Sequence, residues 1–120
     1  MKKLLLTMFS ILMLNACSEA PSLKGKTFTL DTNKNFTITF DAKENKFYGK
    51  AINNYFGEYK AENNNITFSQ VGSTMMMGPA EEMQQEQTYF QNLSKIKTYT
   101  LKNKILELKG DNVTLKYSEQ

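Results

Sequence analysis

Phe36-Thr37-Ile38-Thr39-Phe40 decides the fold class. Phe36, Ile38 and Phe40 point one way and Thr37 and Thr39 the other, a period of two made of residues that favour strands. Upstream, Lys26 to Asp31 alternates with Phe28 and Leu30 on one face, and the polar stretch Asp31 to Asn35 between them suits a hairpin loop. Downstream, Lys46 to Ile52, Tyr55 to Lys60 and Ile66 to Gln70 read as three more strands, the last two joined by a turn at Asn63-Asn64-Asn65. Near the C-terminus, Lys95 to Leu101 alternates through Lys97, Tyr99 and Leu101. Lys104 to Lys109 carries Leu106 and Leu108 on one side, and Asn112 to Tyr117 carries Val113, Leu115 and Tyr117. Turns of two or three residues, at Lys102-Asn103 and Gly110-Asp111-Asn112, make these three tight antiparallel neighbours.

One segment breaks the rhythm. From Pro79 to about Ser94 there is no internal glycine or proline, and Glu81 and Glu82 sit where the positive end of a helix dipole favours acids. Pro79 suits the first helical position. Ala80, Met83, Phe90 and Leu93 form the apolar face, with Gln87 as a polar interruption, so the helix is expected to lie on the sheet. The expected fold is α+β: a strongly curled antiparallel sheet or half-barrel of about eight short strands, with one helix inserted between strands five and six.

Composition narrows the chemistry. In 120 residues there are 15 basic side chains, all lysine, against 12 acidic ones, with no histidine and one cysteine. Histidine-dependent triads and imidazole metal sites are excluded, and so is an internal disulfide. Without arginine there is no bidentate fork for phosphate or guanine, and nucleic acid is not an expected partner. The expectation is a non-enzymatic protein without a cofactor.

The N-terminus reads as an address. Met1-Lys2-Lys3 is positive, and Leu4 to Leu14 is apolar except for Thr7 and Ser10. That run is too short for a bilayer span, which takes about 20 residues, and has the length of a signal-peptide core. It leads into Leu14-Asn15-Ala16-Cys17, which resembles a bacterial lipobox. The resemblance implies cleavage before Cys17, a diacylglyceryl group on its thiol and acylation of the new amino group. Several acyl chains on one residue give a stable anchor. Residues 1–16 are then a lipoprotein signal peptide, 17–22 a flexible lipidated tether, and 23–120 the domain. Ser18, where an aspartate marks inner-membrane retention in related lipoproteins, leans towards the outer membrane facing the periplasm. From Cys17 onward, 13 lysines face 12 acids, a nearly neutral domain.

The middle of the chain resembles a known family. Ala51-Ile52-Asn53-Asn54-Tyr55-Phe56-Gly57-Glu58-Tyr59 is similar to the central signature of the META domain, also called HslJ-like, through Asn53, Gly57 and Tyr59. Ser73-Thr74-Met75-Met76-Met77-Gly78 resembles its second signature through Ser73, Thr74 and Met76. Glu86, Phe90 and Leu93 follow as in the family's helix, and Leu23, Gly25 and Phe28 resemble its first strand. The two cysteines that the family often carries, thought to pair, align with Ile52 and Gly78, so both are missing. The resemblance implies a small envelope lipoprotein acting in stress tolerance or assembly through protein contacts, without agreed catalytic residues. Asn53, Gly57, Tyr59, Ser73, Thr74 and Met76 are read as structural: turn-forming, bulge-forming and helix-leading residues.

Met75, Met76 and Met77 are thioether candidates for Cu(I), but neighbours on a strand diverge, so packing between sheet and helix is the expectation. Glu82 and Glu86 are read as a solvated helix face rather than an acid–base pair. The alternative function is a carrier or sensor that binds a small apolar or lipid ligand inside the curled sheet.

Overall fold

The computed structural model describes residues 21–120. The expected signal peptide, Cys17 and most of the expected tether lie outside the described residues. Among the described residues nine strands and a helix follow one another: β1 (Thr27–Leu30), β2 (Thr37–Phe40), β3 (Lys46–Lys50), β4 (Asn54–Glu62), β5 (Asn65–Phe68), β6 (Gly72–Ser73), α1 (Ala80–Ser94), β7 (Ile96–Lys102), β8 (Ile105–Gly110) and β9 (Val113–Glu119). All pairings are antiparallel, and β3–β4 pairing closes the sheet into a barrel of eight strands. The two-residue β6 adds to β4 beside β5, so the helix follows the sixth strand rather than the fifth. Among the described residues no helix is long and apolar enough to cross a membrane.

Alternation drives closure. Phe28, Leu30, Ile38, Phe40, Leu106, Leu108, Leu115 and Tyr117 are all buried, and their neighbours face outward. An eight-strand barrel has an interior just wide enough to be filled by side chains. Here aromatic rings fill it edge to face: Phe40 against Tyr59 and Phe47 against Phe68, each with centroids 5.1 Å apart. In β7 the expected alternation through Lys97 fails. A register shift between Ile96 and Thr98 turns Ile96 inward and Lys97 outward, as a bulge does.

Both ends of the barrel are covered. Helix α1 lies across the end that carries the β1–β2 and β3–β4 turns, with Tyr89 packed on Phe36 at 5.1 Å and Glu86 bonded to Asn53. At the other end Leu23 is buried, and the Pro21 carbonyl accepts the Tyr99 hydroxyl at 2.8 Å. The buried side chains of α1 are Glu86, Tyr89 and Leu93, whereas Ala80 is exposed. Pro79 precedes the helix instead of beginning it. Its ψ of 141° is extended, and its carbonyl accepts the Met83 N–H at 3.0 Å, the position of an N-cap.

Asparagines make the tight turns. Asn63, Asn103 and Asn112 all have positive φ, and so does Lys104, at 66°. A lysine gains nothing from that conformation, and left-handed backbone costs a side-chain-bearing residue about 1–2 kcal/mol. Lys104→Gly is therefore expected to raise stability by about 0.5–1 kcal/mol in urea denaturation, because glycine suits the second position of this two-residue turn.

Candidate functional site

Where β3 turns into β4, the chain places an asparagine inside the protein. Asn53 and Glu86 are 3% and 4% exposed, the only two buried polar or charged side chains among the described residues. The Asn53 backbone N–H donates to Glu86 Oε2 at 2.6 Å, and Asn53 Nδ2 donates to Glu86 Oε1 at 3.0 Å. On its other side Asn53 Oδ1 accepts the Met76 N–H at 2.6 Å and the Thr74 hydroxyl at 3.0 Å. Thr74 Oγ1 in turn accepts the Asn54 N–H at 3.2 Å. One side chain thus ties the β3–β4 turn, the strand-like segment after β6 and the helix to one another. Every polar atom of the knot has a partner, which is the condition under which a buried polar cluster is stable.

Glu86 was expected to lie on a solvated face with Glu82. Glu82 is exposed, but Glu86 points inward, because the Asn53 N–H groups need an acceptor there. The signal was its spacing: Glu86 falls three residues after Met83, four before Phe90 and seven before Leu93, on the inward stripe.

A second buried cluster lies deeper. Tyr55 reaches over Gly49, and its hydroxyl donates to the Thr37 carbonyl at 2.5 Å. Since a carbonyl only accepts, the order of the chain is fixed. Tyr89 donates to Tyr55 at 2.7 Å, and Tyr117 donates to Tyr89 at 2.9 Å. Gly49 is required here, because a Cβ would strike the Thr37 carbonyl and lie 2.8 Å from the Tyr55 hydroxyl oxygen. Tyr89 is not marked by the sequence pattern, since a tyrosine beside Phe90 gives no sign of which of the two faces inward.

Burial pushes the Tyr89 hydroxyl up to about 12, and raises Tyr55 and Tyr117 well above the ordinary tyrosine value for the same reason. In the unfolded chain these groups ionise near pH 10. Because folding raises the pKa, the stabilisation is complete below about pH 10 and falls as pH rises towards 12, by about 1.4 kcal/mol per pH unit for each tyrosine. Alkaline titration should show tyrosinate absorbance from these residues appearing together with loss of the β-sheet circular dichroism. Their ionisation with the sheet signal intact would contradict the buried chain of hydroxyls.

The remaining motif residues are scattered. Gly57 lies under the Phe47 ring, whose Cζ would be 2.6 Å from an added Cβ. Tyr59 is buried inside the barrel against Phe40, towards the end opposite Asn53. Ser73 pairs with Tyr55 in β6. The structure therefore gathers Asn53, Thr74 and Met76 with Glu86, and leaves Gly57, Tyr59 and Ser73 apart. Ile52 and Gly78 are neighbours, with a Cβ on residue 78 falling 3.3 Å from Ile52 Cγ2.

The knot leaves an apolar surface beside it. Met75, Met76 and Met77 are exposed, contrary to the expected packing between sheet and helix. Only Met83 of this group is half-buried, its sulfur accepting the Gly78 N–H at 3.3 Å. Tyr48 and Phe56, directly opposite each other on β3 and β4, are also exposed. They border an open cleft of about 630 Å³ with Gly57, Val71 and Gly72. All five exposed large apolar side chains among the described residues belong to β3, β4 and the segment leading to the helix. No group of histidine, cysteine, aspartate or glutamate able to hold a metal ion occurs among the described residues.

The sequence model of the META domain matches residues 18–120. Two structures determined by NMR are similar in fold. A protein from Burkholderia xenovorans has a TM-score of 0.69 and 19% identity, covering 82% of this chain and 83% of its own. A second protein has a TM-score of 0.63 and 23% identity, covering 80% of this chain and 90% of its own. A crystal structure of a DUF4847 family protein from Bacteroides vulgatus matches at a TM-score of 0.54 and 17% identity, over 70% of this chain and 58% of its own. No curated protein matches the chain.

Proposed function

We propose that this chain, which belongs to the META domain family, is a non-enzymatic lipoprotein of the bacterial envelope that works through protein contacts on the outside of its barrel. The observation that carries the reading is that five large apolar side chains are exposed, Tyr48 and Phe56 paired on β3 and β4 and Met75, Met76 and Met77 on the segment before the helix, while the barrel interior is filled with side chains. Soluble domains seldom expose large apolar side chains in a group without a use for them. The aromatic pair on β3 and β4 offers rigid anchors of the kind that dominate protein interfaces. Lipid on Cys17 holds the domain at the membrane, and a role in envelope stress tolerance or assembly accords with a fold whose own chemistry is sparse.

Two experiments test the reading. Cys17→Ser should move the protein from the membrane fraction to the soluble fraction; unchanged retention would contradict the anchor. The double variant Tyr48→Ser/Phe56→Ser should keep the melting temperature within a few degrees, since both side chains point outward. Extracted from its own membranes in mild detergent, the unaltered chain should elute above its monomer size and the variant as the monomer. The same elution for both would contradict contacts through this face.

A further inference from the structure

The methionine triplet is held by its backbone to the buried polar cluster around Asn53. Asn53 Oδ1 fixes the Met76 N–H at 2.6 Å, and the Thr74 N–H donates to the Asn54 carbonyl at 3.0 Å. N–H groups two residues apart that face the same strand edge define an extended segment, in which side chains alternate. The exposures agree: Met75 is 91% exposed, Met76 54% and Met77 89%. Met75 and Met77 thus share the outer side, and their sulfurs support no packing. Met83, three residues into the helix, is different: it is half-buried, and its sulfur is engaged by the Gly78 N–H.

We propose that Met75 and Met77 are a reversible sulfoxidation site for a two-electron oxidant of the hypochlorous acid class. Each thioether sulfur gives an electron pair to the oxidant and gains its oxygen atom; the products are the sulfoxide, chloride and a proton. The sulfur is oxidised and the chlorine reduced. The sulfoxide is polar where the thioether was apolar, and it is returned to methionine by sulfoxide reductases. Because the Asn53–Glu86 knot grips backbone and not the sulfurs, the modification changes the surface and leaves the barrel intact. Oxidation therefore turns the outer side of the exposed segment before the helix from apolar to polar. The site does not depend on the proposed partner and stands even if no protein docks on that face.

The test is limited oxidation of the full chain in detergent with hypochlorous acid at a few molar equivalents, followed by peptide mass spectrometry. Met75 and Met77 should be oxidised about tenfold faster than Met83, with Met76 between them, as thioether exposure dictates. The melting temperature of the oxidised protein should match that of the untreated protein, and treatment with methionine sulfoxide reductases should restore the mass. Met75→Leu/Met77→Leu should abolish the fast oxidation in this segment. Equal rates at Met75 and Met83, unfolding on oxidation, or sulfoxides that the reductases leave in place would each overturn the proposal.

Discussion

Glu86→Ala is expected to lower the unfolding free energy by about 2–5 kcal/mol, since each of two buried donors left without a partner costs about 1–3 kcal/mol. Glu86 accepts both the backbone N–H and the side-chain amide of Asn53, at 2.6 and 3.0 Å. Removing it leaves two donors without partners in a space closed to water, and opens a cavity beneath the helix. Glu86→Gln keeps the volume but turns an amide N–H₂ towards one of the Asn53 donors, so it should cost less, about 1–3 kcal/mol. Asn53→Asp is the informative companion. It sets a second carboxylate at the Nδ2 position, 3.0 Å from Glu86 Oε1, and repulsion between the two should be relieved by acid. The variant should therefore gain stability relative to the unaltered protein as pH falls through the carboxylate range. Guanidinium denaturation at two pH values measures all three. A loss below 1 kcal/mol for Glu86→Ala would mean that the knot does not hold the helix to the barrel.

The second large effect is a gain. Ile52→Cys/Gly78→Cys, oxidised, should raise stability by about 3 kcal/mol, since a closed loop of this length restricts the unfolded chain by that amount. The geometry is favourable: Ile52 Cγ2 occupies the place a sulfur would take, and lies 3.3 Å from a Cβ at residue 78. Gly78 has no positive φ, so a side chain there is not strained. These are the positions where the resemblance to the family places two cysteines thought to pair, and in this chain Ile52 packs over Gly78 instead. The difference in denaturation midpoint with and without reductant measures the gain. A bridge that forms without raising the midpoint would show that the segment before the helix is already as restricted when unfolded.

The strands were legible because their pattern is local. Phe36, Ile38 and Phe40 announce an inward face by alternation alone, and so do Leu106 with Leu108 and Leu115 with Tyr117. The helix was legible to within a residue from its glycine- and proline-free span and its acidic first turn. What escaped was non-local. The Gly72–Ser73 strand has too few residues to show a period, and exists because β4 offers an open edge beyond β5. The bulge at Ile96 is set by pairing with Gly110 and Lys109, which no window within β7 contains. Glu86 reads as surface because carboxylates usually are; its burial depends on Asn53, 33 residues away. The methionines were misplaced because an apolar triplet was expected to be packed, whereas the turn beneath it is already filled by Asn53 and Ile52.

A barrel filled with its own side chains, with its working surface outside, holds no apolar guest. Native mass spectrometry of the chain, extracted in mild detergent from the cells that make it, is the test. The expected result is one mass per chain, that of the polypeptide from Cys17 with its covalent lipid. A stoichiometric apolar molecule retained after the detergent is stripped would place the function inside the barrel instead and contradict a working outer surface.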